Sequence, residues 1–573
     1  MGHLAERCSP ELEQLAARVT ELERRLSALE IRGKKVVPGV NSSTAEISRQ
    51  KANKESLAAN PFAILGRALL GLAGAYLLRA AFEAGAAPRF AIVAIALLYA
   101  WVWLLFSVHA AKRSAKAGAL YGITSALIIF PMLWENAVRF KFLPSMVTAA
   151  ALVVWLVSAL LFVRVAAPAF TLWVTVLCVS GTGLGLFVAT RDPFPFTVAL
   201  IVTAALTEWV ACRQHWPNLR IAIEIPLDLI LCVLAYLATR PGGFPEGYNS
   251  VSTSVLLVLF AAPMLVSVGS VAYRTIVLHQ QARFWDFMQT GATFAISVCT
   301  VLQFAPGPGS KAFGLFGFLT AACCYLEAFL NARVRGDSRN FSFYTVWAGV
   351  LFLISSYLVM SPSEVTAWLS LNAILAAALA LRTGSVNFAL HPMVWLVAVE
   401  ISSGLLVYAG HLVGGSYPRS IPPMAWMVAI SGVACAWILL FPGFDRRGIA
   451  VLRCVSVANA ALLVAAFGVA DTVRAMQAGN SPTAPQLAVT RTVMICLVTL
   501  ILVLVGSRSN RRELIWMAYI MIGLGTLKLL VEDLRRGSSV SFALSLLAFG
   551  VLLAIIPKLM RSERRTNGLP TRD

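Results

Sequence analysis

The sequence predicts an all-α fold: a polytopic transmembrane helix bundle of about eighteen spans, with a short N-terminal cytoplasmic coiled coil. Three observations predict it. Hydrophobic residues make up 58% of the 573 positions and charged residues 13%, with a mean hydropathy of +0.77, a composition outside the range of soluble domains. The apolar residues gather into runs of about 20, which as helices cross a hydrocarbon core of roughly 30 Å. The basic residues stand singly or in small clusters between those runs, as the positive-inside rule produces. The net charge of +20 therefore reflects loop charges and argues against nucleic acid as a partner, because no basic stripe is formed.

Residues 1–32 are read as the coiled-coil helix. Leu12, Leu15, Val19, Leu22, Leu26 and Leu29 recur at alternating steps of three and four, the seam of a heptad repeat. With Leu12, Val19 and Leu26 at a, Arg18 and Arg25 fall at g and Glu23 and Glu30 at e of the next heptad. Each g residue then faces an opposite charge on a parallel partner, so self-association through residues 1–32 is one expectation. A single amphipathic helix lying on the membrane is the other. The stretch lacks a long apolar core and is not read as a signal peptide. Residues 33–60, with Pro38, Gly39, Asn41, Ser42 and Ser43, are expected to form a flexible polar linker.

Residues 61–558 form the expected transmembrane domain, and 559–573 a basic cytoplasmic tail. Apolar windows lie at 61–83, 89–110, 117–137, 144–163, 167–189, 194–212, 221–239, 251–273, 285–304, 312–331, 341–360, 364–381, 392–411, 422–441, 448–470, 488–506, 513–533 and 539–557. If the N-terminus is cytoplasmic, the cytoplasmic loops carry clusters such as Lys112, Arg113 and Lys116; Arg333, Arg335 and Arg339; and Arg508, Arg511 and Arg512. The alternate loops carry one or two basic residues each. An even span count with both termini inside satisfies this asymmetry. Outward connections near 240–250, 412–421 and 471–487 are rich in Gly, Pro and Ser and too short to be domains, so the chemistry is expected within the bilayer or through partners.

The closing helices carry a family resemblance. Arg512-Glu513-Leu514-Ile515-Trp516, then Leu527-Lys528-Leu529-Leu530-Val531-Glu532-Asp533-Leu534, then Leu544-Ser545 running to Gly550-Val551-Leu552-Leu553, is similar to the tail of an uncharacterised bacterial multi-pass membrane protein family catalogued as domain of unknown function 2339. Phe542 stands where the family pattern usually has an arginine. The resemblance implies residence in the bacterial inner membrane and names no reaction.

Ionisable residues inside a span are costly and mark pathways or buried pairs. Lys528 and Glu532, four apart, share one helical face, while Asp533 falls well round an ideal helix. They read either as a switchable ion pair in a transport route or as an interfacial anchor with a snorkelling lysine. Glu224 and Asp228, also four apart, flank Pro226 and could bind a cation or share a proton. Alternatively, they meet arginines such as Arg213 or Arg220. Glu400 stands near the centre of its window in Val397-Ala-Val-Glu-Ile-Ser-Ser-Gly and requires a cationic partner or a bound proton. Gly181-Thr-Gly-Leu-Gly185 lacks the strand and the Lys-Ser or Lys-Thr of a phosphate loop and is expected to pack helices closely.

No metal-ligand spacing, disulfide framework or cofactor motif appears, and His391 and His411 are too far apart along one span to share a metal. Membrane lipids are the expected partners. These features favour a non-enzymatic envelope protein that transports or scaffolds a small or lipid-like substrate. The competing class is an integral membrane enzyme acting on lipid-linked glycans through an outward acid such as Asp192 or Asp471.

Overall fold

The computed structural model describes residues 23, 61–86, 88–112, 114–166, 169–214, 218–414, 420–440, 449–476, 483–509, 511–533 and 539–566. Among them every regular element is helical, in nineteen α-helices and four π turns. The seam positions Leu12, Leu15, Val19, Leu22, Leu26 and Leu29 lie outside the described residues. Within residues 1–60 only Glu23, helical and exposed, is included.

The chain divides into two compact units. The first comprises residues 1–230 with 245–249. It holds α1 (Pro61–Glu83), α2 (Arg89–Ala111), α3 (Ala115–Trp134), α4 (Ser145–Ala166), α5 (Ala169–Thr190), α6 (Pro193–Gln214) and the first half of α7 (Ile221–Thr239). The second holds the rest of α7, then α8 (Thr253–Ala272), α9 (Phe284–Phe304), α10 (Pro308–Leu326), α11 (Ser338–Val359), α12 (Pro362–Thr383), α13 (Val386–Ser402) and α14 (Leu405–Gly414). It closes with α15 (Ala425–Leu440), α16 (Ile449–Met476), α17 (Ala484–Arg508), α18 (Arg512–Lys528) and α19 (Ser539–Thr566).

Among the described residues, fifteen helices are long and apolar enough to cross a membrane. The pair Val386–Ser402 and Leu405–Val413 passes the same test together but is bent by 78°. Two further apolar helices, α4 (Ser145–Ala166) and the 16-residue α15 (Ala425–Leu440), fall where the sequence windows 144–163 and 422–441 stand. The window 392–411, expected as one continuous span, is instead broken.

The distribution of side chains is that of helices whose solvent is hydrocarbon. Large apolar residues point outward, such as Leu70 (71% exposed) and Leu77 (72%) on α1, while serine and threonine turn inward. Many hydroxyls donate to the carbonyl four residues back, as Thr203 does to Ala199 (2.7 Å) and Thr499 to Ile495 (2.7 Å), which satisfies them without water. Others stitch helices together. Ser125 Oγ donates to the carbonyl of Ala100 (2.6 Å), Ser180 to Ala222 (3.0 Å) and Ser297 to Phe260 (3.0 Å), the small-residue contacts that let helix backbones approach.

Glycine permits the closest approaches. A Cβ on Gly314 of α10 would lie 2.7 Å from Val359 Cγ2 and 2.8 Å from Leu358 Cβ of α11. In the Gly181–Gly185 stretch, Gly183 packs on Leu200 and Gly185 on Trp134, whereas Gly181 meets nothing within 4 Å. Close packing there is therefore made by Gly183 and Gly185 and not by Gly181.

The four π turns close α3, α8, α10 and α18 at Glu135–Arg139, Tyr273–Val277, Glu327–Ala332 and Leu529–Asp533. Each carries a charged residue into a polar network. In the second, Arg274 meets Asp286 of α9 at 2.8 Å with both side chains buried, and Thr275 Oγ1 and Tyr344 Oη lie 2.5 Å apart. In the third, Asn331 donates to Glu327. Widening from i→i+4 to i→i+5 re-aims the last side chains of a span, which is why such turns recur where polar groups must converge.

Candidate intramembrane site around the broken span

The break in the second unit is built from a short polar sequence inside a greasy helix. Ser402, Ser403 and Gly404 follow the apolar run of α13, and Gly404 takes φ +74°, a conformation that glycine reaches without the Cβ penalty. Chain direction changes there, and α14 continues for ten residues. Ser402 Oγ lies 2.8 Å from Tyr357 Oη of α11, and Ser403 Oγ accepts from Leu405 N (3.4 Å), so the polar groups freed at the break are served locally. Val399 and Leu405, on either side, are fully buried in one apolar cluster with Leu412, Val428 and Leu463.

Glu400 stands in the last turn of α13, 1% exposed. Asn459 Nδ2 of α16 donates to its Oε1 at 2.7 Å. Among the described residues no cation lies within ion-pair distance of it. A buried carboxylate with one neutral donor is not compensated as an anion. It requires a proton or an incoming cation.

The far end of α14 is held differently. The last carbonyls of a helix have no intrahelical donor and carry the negative end of the helix dipole. Arg491 of α17, 1% exposed, supplies both needs. Its Nε donates to the carbonyl of Leu412 (2.5 Å) and its Nη2 to that of His411 (2.9 Å), while Nη1 pairs with Glu532. The cap and the break are the two ends of one short helix, about 15 Å apart at 1.5 Å per residue.

Lys528 and Asp533 complete this cluster. Lys528 Nζ donates to the carbonyl of Ala488 (2.5 Å), to Thr492 Oγ1 (2.6 Å) and to Asp533 Oδ1 (2.5 Å), with Glu532 Oε2 at 3.7 Å. Thr492 Oγ1 also lies 2.8 Å from Asp533 Oδ2. In an ideal α-helix Asp533 would sit about 140° round from Lys528. The π turn Leu529–Asp533 brings residue i+5 back over residue i, so the acid that the helical wheel sets aside is the one bonded to the lysine. Lys528 does not snorkel to the surface: its side chain is 10% exposed and fully engaged. Arg491, Lys528, Glu532 and Asp533 are two cations and two anions, so the cluster is balanced.

A second buried arginine repeats the arrangement. Arg453 of α16, 2% exposed, donates from Nε to the carbonyl of Leu439 at the end of α15 (3.0 Å) and pairs with Glu513 at the start of α18 (3.4 Å). Two short helices, α14 and α15, are thus each capped at the C-terminus by an arginine, whose counter-ion comes from the π turn after α18 in one case and from the start of α18 in the other.

The other expected residues lie in the first unit. Glu224 is buried and Asp228 half-buried, and both have interaction partners. Of the arginines weighed beside them, Arg220 meets Glu208 at 3.6 Å, both buried, and Arg213 lies over the ring of Trp209 (4.9 Å). Glu224 and Asp228 belong to a different unit from Glu400. His391 is buried, with Nε2 3.1 Å from the carbonyl of Thr345 and Nδ1 3.3 Å from Tyr325 Oη. Among the described residues no group of three or more His, Cys, Asp or Glu is placed to hold a metal.

Arg491, Arg453 and Asn459 were not expected as site residues. The two arginines fall inside the windows 488–506 and 448–470, and a cation within a span is itself the signal that finds them. Asn459 carries no comparable mark. Comparison with protein-family models, with curated proteins and with solved structures finds no match to this chain.

Proposed function

We propose that this is a polytopic membrane transport protein in which the broken span α13–α14 forms the working site and Glu400 takes up and releases a proton or small cation. The carrying observation is the fully buried Glu400 at a 78° helix break with Asn459 as its donor. Interrupted helices near mid-membrane are the usual way that transporters expose backbone groups to a substrate. In this reading α14 is the moving half-helix, Gly404 its hinge and the Arg491–Glu532 pair the latch at its far end. The substrate class is a small or lipid-like molecule handled at the bacterial inner membrane.

The topology that fits is eighteen spans with both termini cytoplasmic: the fifteen long helices, the bent pair taken as one, and the apolar helices α4 and α15. The motif around Lys528–Leu534 and the closing helix supports kinship with the family catalogued as domain of unknown function 2339.

The test is proton movement into proteoliposomes that hold the full-length protein and a pH dye, driven by an imposed potassium diffusion potential. Wild type acidifies the lumen faster than empty vesicles, and Glu400→Gln returns the rate to that of empty vesicles. Equal rates for wild type and Glu400→Gln overturn the assignment of Glu400 and leave a scaffolding role as the better account.

A further inference from the structure

A second site, independent of the broken span, lies in the first unit among α1, α2 and α3. A cavity of about 250 Å³ is walled by Leu72, Phe82, Ile92, Val93, Ala96 and Ile128. Tyr76 and Leu127, which also line it, are 66% and 50% exposed. Apolar residues that are exposed and also line the cavity put it within reach of a lipid chain.

One end of this apolar chamber is polar. Arg79 and Glu135 line it and pair at 2.8 Å. Glu83 joins Arg79 (3.4 Å) to Arg139 (3.1 Å). These four residues sit at the last turns of α1 and in the π turn that ends α3, which is the depth of the headgroup region for a spanning helix. Asn136, in the same π turn, also lines the cavity and is 4% exposed. Its Nδ2 donates to the carbonyl of Met132 (2.9 Å), but its Oδ1 has no hydrogen-bond partner among the described residues. A buried amide oxygen left unpaired is costly and calls for a donor.

We propose that this cavity binds one bilayer phospholipid whose headgroup carries both a phosphate and a primary ammonium, with an acyl chain in the chamber. The arrangement matches that molecule in order as well as in kind. An apolar body at hydrocarbon depth is followed, at headgroup depth, by guanidinium groups suited to a phosphate and by acceptors suited to N–H donors: the Asn136 oxygen and the Glu83 and Glu135 carboxylates. The volume lies just below the roughly 300 Å³ at which pockets for whole drug-sized ligands begin, which fits one chain rather than a complete lipid. A choline headgroup shares the phosphate and the positive charge but has no N–H to give Asn136. A glycerol headgroup keeps hydroxyl donors but brings a net negative charge to a rim whose two arginines and two carboxylates already balance.

The experiment uses the full-length protein in lipid nanodiscs containing a trace of phosphatidylethanolamine with a photoreactive group in its acyl chain, and maps the adducts by mass spectrometry. Adducts are expected to concentrate on the peptides containing Leu72–Phe82 and Leu127–Asn136. Unlabelled phosphatidylethanolamine should displace the probe about tenfold more effectively than phosphatidylcholine, the ratio expected when a buried acceptor gains a charged donor. Ala75 also lines the chamber; the variant Ala75→Phe, which fills it, and Asn136→Leu, which removes the acceptor, should each lower these adducts about tenfold while labelling elsewhere is unchanged. The headgroup comparison is made on wild type and so holds even if a variant fails to fold. Adducts spread evenly over the lipid-facing helices, or equal displacement by phosphatidylcholine, overturn the proposal.

Discussion

Replacing Arg491 with methionine removes two things at once, and the structure allows them to be separated. Glu532 loses its buried counter-ion, and the carbonyls of His411 and Leu412 lose their donor. Breaking a buried pair from one side costs about 3–5 kcal/mol, and leaving helix-end carbonyls unserved adds about 1–3 kcal/mol. Arg491→Met is therefore expected to destabilise by about 4–8 kcal/mol, toward the lower end because Lys528 lies 3.7 Å from Glu532 and offsets part of its charge. Adding Glu532→Gln removes the stranded charge. The double variant should regain the pair's share and retain only the loss of the cap, about 1–3 kcal/mol. The assay is equilibrium unfolding in mixed micelles, arranged as a double-mutant cycle. If the double variant is as unstable as the sum of the two single changes, within about 0.5 kcal/mol, then Arg491 and Glu532 are not coupled and the latch does not exist.

Further outcomes follow from the same geometry. Gly404→Ala places a Cβ where φ is +74° and should cost about 1–2 kcal/mol, with Gly404→Asn intermediate; an unchanged unfolding midpoint for the alanine would show that the break is not fixed by this residue. Gly314→Ala drives a methyl into Val359 and Leu358 and should lose about 1–3 kcal/mol as α10 and α11 separate, whereas Gly181→Ala, which meets no neighbour, should be neutral or stabilise by up to about 1 kcal/mol through helix propensity. Thermal melts of the two proteins in one detergent compare them directly, and equal losses would contradict the packing. Lys528→Met strands Asp533, which is 1% exposed, and should cost about 3–5 kcal/mol; loss of less than about 1 kcal/mol would mean that Lys528 is an interfacial anchor after all.

The spans were legible because length and hydrophobicity alone decide whether a helix crosses hydrocarbon. The windows at 144–163 and 422–441 point equally to α4 and α15, although α15, at 16 residues, is shorter than most of the other helices. What the linear pattern hid is irregular backbone. A single window at 392–411 concealed the break, because Ser402-Ser403-Gly404 is too brief to interrupt an apolar average. A wheel with 100° steps separated Lys528 from Asp533, because it carries no allowance for a π turn. The acids Glu400 and Glu532 were visible as charges out of place, but their partners Asn459 and Arg491 lie 59 and 41 residues away in sequence, and tertiary packing alone brings them together.

Infrared difference spectroscopy of the full-length protein in lipid bilayers, recorded between alkaline and acidic buffer, observes Glu400 itself. The account predicts a protonated-carboxyl band in wild type that is absent from Glu400→Gln and shifted in Asn459→Leu, where its hydrogen-bond donor is gone. Identical spectra for wild type and Glu400→Gln would contradict it, because the carboxyl at the helix break would then neither bind nor release a proton.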